Sequence, residues 1–88
     1  MQLSRFQQLI AERYLERDAD RGTPATFMWF IEEVGELATA LAQNDKENLP
    51  GEFADVLAWL CTLANINGVD IEKACVSKYS EKNDKGYK

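Results

Sequence analysis

Five acidic side chains carry the chemistry open to this chain: Glu32, Glu33 and Glu36 in FIEEVGEL, and Glu52 and Asp55 in GEFADVL. None of the 88 residues is a histidine. That removes Ser-His-Asp and Cys-His catalysis, histidine general bases and Cys/His zinc sites together. Any catalysis rests on carboxylates, lysines, a metal ion or a combination. Glu33 and Glu36 stand three apart, as do Glu52 and Asp55, so each pair projects to one side of a helix. No lysine or arginine occurs between Arg21 and Lys46, or between Lys46 and Lys73, so neither pair has a basic partner on its own helix. Like charges held beside apolar surface are costly unless they protonate or bind a cation. Four oxygen donors on two facing helices suit a hard cation, Mg²⁺ or Mn²⁺, and five central carboxylates leave room for a second ion. Solvated surface acids would explain one E-x-x-E. They explain two less well when each lies on an otherwise apolar helix with a tryptophan, Trp29 or Trp59, in its sector.

The elements that must position these side chains are helices. Ser4 and Gln7 read as a capping box opening the first, with Leu3, Phe6, Ile10 and Tyr14 as its apolar stripe. In RGTP, Gly22 ends that element, Thr23 caps the next and Pro24 suits its first turn, so a second helix is expected from about Pro24 to Ala42. A third is expected from Pro50 to Ile66, and a short fourth, capped by Asp70, through Tyr79. With no convincing alternating strand, the chain reads as an all-α, four-helix bundle forming a single domain over residues 1–88. Residues 79–88 read as a polar, partly mobile tail.

At about 100° per residue, Phe27, Phe30, Val34, Leu37 and Leu41 fall on one side of the second helix and predict its core seam. Glu33 and Glu36 lie at its shoulder, and Glu32 lies furthest round toward solvent. On the third helix, Phe53, Leu57, Leu60 and Ala64 form one apolar face, while Val56, Trp59, Leu63 and Ile66 cover much of the other. A helix apolar nearly all round must be buried nearly all round, which four short helices cannot achieve alone. Self-association with a second copy is therefore expected.

The formal net charge is −5, which argues against duplex nucleic acid as a partner. No apolar run approaches the roughly 18 residues needed to span a bilayer, and no signal peptide is visible, so no membrane partner and a cytoplasmic location are expected. Cys61 and Cys75 sit among apolar residues and read as two buried free thiols. Lys78, Lys82, Lys85 and Lys88 cluster near the end with Asn83. They serve either as a solubilising tail or as ligands for phosphate oxygens beside the metal.

EEVGE at Glu32 to Glu36, followed by EFAD at Glu52 to Asp55, resembles the EExxE…ExxD signature of the MazG-like, all-α nucleoside triphosphate pyrophosphohydrolases. The resemblance extends through GEFADVLAWLCTLANINGVDIEKA to KYSEKN, most of the chain. It implies Mg²⁺-dependent hydrolysis of (d)NTP between the α and β phosphates, giving a monophosphate and pyrophosphate, in a homodimer or a dimer of dimers. By position it implies Glu33, Glu36, Glu52 and Asp55 as metal ligands. Glu32 corresponds to an outer-shell or water-orienting glutamate, and Lys78, Lys82, Asn83 and Lys85 to the phosphate-contacting end. Lys85 stands where an arginine is common. Trp29 and Trp59 either stack on a base or pack. The general base is a carboxylate such as Glu32 or the metal's own water.

Three other readings compete. Phosphoribosyl-ATP pyrophosphatase shares the carboxylate logic but typically has a histidine in the stretch that here reads VLAWLCTLANINGVD. A dUTP- or dCTP-specific relative is open, because base preference is not written in these motifs. From a different class, a non-catalytic helical module could hold a metal or a basic peptide in its acidic groove.

Overall fold

Gly22 sets the first boundary. In the computed structural model, which describes residues 1–80, it sits at φ 86°, a left-handed conformation that glycine adopts without a Cβ penalty. Its N–H closes α1 (Leu3–Arg21) on the carbonyl of Asp18 at 3.1 Å. Its own carbonyl opens α2 (Thr23–Ala42), accepting the Thr26 N–H at 3.1 Å and the Thr26 hydroxyl at 2.7 Å. Thr23, expected as the cap, is the first helical residue, and its Oγ1 accepts from the side-chain amide of Asn67 at 3.2 Å.

The link from α2 to α3 (Leu49–Ile66) turns through Asn44 at φ 52°. It is tied by Asp45, whose carboxylate accepts from the backbone and side-chain N–H groups of Asn48 at 3.3 and 2.9 Å. Asp70 caps α4 (Ile71–Tyr79) as its type and place predict, accepting the Lys73 N–H at 3.0 Å. Among the described residues there are four α-helices and no strand, as expected, and no helix is long and apolar enough to cross a membrane.

α2 and α3 form an antiparallel hairpin: Trp29 meets Trp59, and one turn and more along, Glu36 meets Glu52. α1 packs across α3, and α4 closes against α1. The fully enclosed side chains are small or polar. Thr26 and Cys61 are wholly buried, and Ile10, Ala40 and Thr62 nearly so.

The expected seam of α2 is corrected here. Phe27, Val34 and Leu41 are 50%, 37% and 51% exposed, while Thr26, Phe30, Glu33, Leu37 and Ala40 turn inward. α2 carries two stripes, and the chain buries the one with small residues, where helix axes approach closely, leaving the bulkier one open. Cys61 is buried as expected, but Cys75 is exposed; both thiols are free.

The expected capping box is also corrected. α1 starts at Leu3 after Gln2 with no side-chain cap. The Ser4 N–H donates instead to Glu72 Oε1 on α4 at 3.0 Å. Gln7 is buried and ties α1 to the α3–α4 connection. Its Nε2 donates to Asn65 Oδ1 at 2.9 Å and to the Val69 carbonyl at 2.7 Å, and its Oε1 accepts the Ile71 N–H at 3.0 Å. Truncating Gln7 removes three part-buried hydrogen bonds at once. Gln7→Ala is expected to lower stability by about 1–3 kcal/mol in urea unfolding, whereas loss of the exposed neighbour in Gln8→Ala should change it little.

Candidate active site

The α2–α3 hairpin brings the acidic motifs to one place. Glu33 and Glu36 from α2 and Glu52 from the first turn of α3 each offer a carboxylate oxygen, all within 4.8 Å of one another. Asp55, one turn on from Glu52, lies outside this tight trio but close enough to act electrostatically on both Glu33 and Glu52. Glu32 is exposed and stands apart from the group.

The electrostatics follow from that crowding. Burial, a hydrogen bond with Glu36 and the charges of Glu36, Asp55 and Glu52 push the Glu33 carboxyl up to about 7. Glu52 is also raised, by burial first and then by Glu36, Asp55 and Asp45. No basic group enters either set of causes. Glu33 Oε2 and Glu52 Oε2 are shut off from water with no hydrogen-bond partner, an uncommon state for buried oxygen atoms. Two unsatisfied, acceptor-only oxygens in a group of hard donors fit a divalent cation by the chemistry of the donor set.

One turn from the carboxylates along each helix, Trp29 and Trp59 stack on one another, ring centroids 6.3 Å apart and planes at 20°. The guanidinium of Arg21 sits 5.1 Å over the Trp59 ring, a cation–π geometry. A column of Arg21, Trp59 and Trp29 thus links α1, α3 and α2 beside the acids. Lys78, on α4, lines an apolar groove with Leu60, Leu63 and Ala64 of the C-terminal half of α3, its Nζ 5.7 Å from the Tyr79 ring centre. Lys82, Asn83 and Lys85 lie outside the described residues.

The family model of the MazG nucleotide pyrophosphohydrolase domain matches residues 22–86. The chain belongs to this family. A comparison with curated proteins gave no match. The MazG match starts at the Gly22 boundary and takes in the whole acidic hairpin, so α1 before Gly22 lies outside it.

Two contributors escaped sequence reasoning. Asp45 adds to the acidic field at Glu52 from a turn, where no helical periodicity marks it. Arg21 joins the tryptophans from α1; its only trace in sequence is its place as the last base before the carboxylate run.

The raised Glu33 carboxyl sets a pH dependence. Between the ordinary value of 4.5 and about 7, the folded chain holds a proton that the unfolded chain has lost. Stability without metal must therefore fall as pH rises through that window. The metal-free protein is expected to melt higher at pH 5 than at pH 7.5. Glu33→Gln should flatten this part of the profile, and added Mg²⁺ should restore stability at pH 7.5 by binding the folded state. Thermal melts at three pH values, with and without Mg²⁺, check the sign.

Proposed function

We propose that the protein is a Mg²⁺-dependent nucleoside triphosphate pyrophosphohydrolase, releasing a (d)NMP and pyrophosphate, with Mn²⁺ as a substitute metal. The observation that carries this reading is the pair of buried, unpartnered oxygens on Glu33 and Glu52 within a trio of carboxylates. Glu33, Glu36, Glu52 and Asp55 hold the cation. When bound, it neutralises phosphate charge and makes a water more acidic.

Glu32, exposed at the rim one residue before Glu33, orients the attacking water and takes its proton. The water oxygen bonds to the α-phosphorus in line as the bond to the bridging oxygen breaks, and pyrophosphate leaves. Lys78, together with Lys82, Asn83 and Lys85, holds the phosphate oxygens. Trp29, 48% exposed and stacked on Trp59, borders the nucleotide between its phosphates and its base.

Residues 1–88 act as one domain, and that domain works as a homodimer or a dimer of dimers. Phe27, Ile31, Val34 and Leu41 on α2, and Phe53, Leu57 and Leu60 on α3, are all more than a third exposed. Their spacings of three, four and seven are those of a helix-packing seam. Gly35 borders that seam, and a Cβ there would meet nothing within 4 Å. A helical glycine costs about 0.5–1 kcal/mol relative to alanine, and a second helix approaching closely accounts for it. The free thiols of Cys61 and Cys75 suit a reducing, cytoplasmic setting.

A panel of ribo- and deoxynucleoside triphosphates assayed with and without Mg²⁺ tests the reaction. Pyrophosphate and monophosphate are expected, and release of inorganic phosphate would sink the α–β assignment. Glu36→Gln and Asp55→Asn should each lower kcat by about 10²-fold or more with helicity unchanged by circular dichroism. Sedimentation should give a multiple of the chain mass at micromolar concentration, and Leu57→Asp should reduce it to the monomer.

A further inference from the structure

Beside the tryptophan column, α1 and α3 enclose a cleft of about 260 Å³ bordered by Tyr14, Arg17, Asp18, Arg21 and Trp59. None of the roles proposed above uses it. Asp18 is 3% exposed. Its Oδ1 accepts from both Nη atoms of Arg21, but its Oδ2 is shut off from water with no partner, and so is Arg21 Nε. Buried polar atoms of a folded chain are normally satisfied. Here one acceptor and one donor of the same ion pair are left without partners just behind the wall of the cleft that both residues line, within reach of a ligand once their side chains shift.

From this pair we infer that the α1–α3 cleft is the nucleobase subsite, and that Asp18 selects bases carrying an exocyclic amino group beside a ring-nitrogen acceptor, the cytosine or adenine type. The inference rests on the hydrolase reading above and names its substrate class. Drug-sized pockets run from about 300 to 1,000 Å³, so this cleft suits a single ring system. Trp59 on its wall is four residues from Asp55, about 6 Å along α3 at 1.5 Å per residue. That is a span a sugar bridges between a base in the cleft and phosphates at the carboxylates.

Depth decides the order of donor and acceptor. The Asp18 side chain is 4% exposed and that of Arg21 21%, so the group projecting furthest from the ring meets the carboxylate. An amino group donates to Asp18 Oδ2 while the ring nitrogen accepts from Arg21. A keto base such as uracil or hypoxanthine reverses the order and sets an oxygen against a carboxylate, with no hydrogen to share. Arg17, which sits 5.2 Å over the Tyr14 ring, supplies positive charge at the border of the cleft.

The test compares matched pairs differing only at that edge. Binding of the α,β-methylene analogues of CTP and UTP, and of ATP and ITP, is measured with Mg²⁺ by calorimetry and by tryptophan emission. The amino member should bind about 10- to 100-fold tighter, the worth of one hydrogen bond to a charged group. Asp18→Asn, whose amide can donate to a keto oxygen, should bring the ratio to unity or reverse it. Equal binding of both members to the wild type, or an unchanged ratio in a folded Asp18→Asn, would overturn the inference.

Should that variant not fold, Trp59→Phe decides the location. Emission quenching by the CTP analogue should be largely lost, and full quenching from Trp29 alone would overturn the cleft assignment. The two readings fail separately. Selective binding without pyrophosphate release from CTP or ATP overturns the hydrolase reading alone. Pyrophosphate release with equal kcat/KM for CTP and UTP overturns the base assignment alone.

Discussion

Everything in this chain is arranged around like charges that repel. Three carboxylates within 4.8 Å, a fourth in electrostatic reach and no basic group among the causes acting on Glu33 or Glu52 would push an isolated helix pair apart. The α2–α3 hairpin holds because both ends of the acidic stretch are braced. At one end Trp29 and Trp59 stack, with Thr26 and Thr62 buried beyond them. At the other, the Asp45–Asn48 turn joins the helices within a few residues of Glu52. With both ends braced, the repulsion is relieved by proton uptake, in line with the Glu33 carboxyl being pushed up to about 7, by acceptance of a cation, or by outward bowing of α2. A site strained in this way is poised for its ligand at the expense of stability.

α1 matters for the same reason. It supplies none of the clustered carboxylates, yet Arg21 lies over Trp59 and Gln7 fastens α1 to the α3–α4 connection. α3 is therefore held from both sides, by α2 through the tryptophan stack and by α1 through polar contacts. Few large apolar side chains are fully enclosed, so the hydrogen bonds of Gln7, Asn65 and Thr26 take a larger share of specifying the packing than in a bigger domain.

These features differ in how far they could be read from the residues alone. Helix boundaries were legible because glycine, proline and capping aspartate act locally: Gly22 and Asp70 do what their types require. The acidic hairpin was legible because i, i+3 spacing on two consecutive helices leaves little choice of geometry, and it gathers Glu33, Glu36 and Glu52 while leaving Glu32 at the rim. The buried face of α2 was not legible. Angular sums weight bulk, and Phe27, Val34 and Leu41 outweigh Thr26 and Ala40, although close helix packing prefers the small residues. Gln7 was misread for a related reason. A polar residue three places after a serine fits a capping box, and periodicity carries no information about partners some sixty residues away.

The open stripe and the acidic seam share α2 on different sides. Glu33 turns toward α3, whereas Val34, the next residue, turns about 100° away toward the unpartnered face. A second copy seated on Phe27, Val34 and Leu41, as proposed, would leave the carboxylates uncovered while fixing the helix that carries two of them. It would also remove the freedom of α2 to bow outward under charge repulsion, the one relaxation that the tryptophan stack and the Asp45 turn do not block. The exposed bulk of α2 and the crowded acids beside it then answer the same requirement: a helix that must hold repelling groups still needs support on the side away from them.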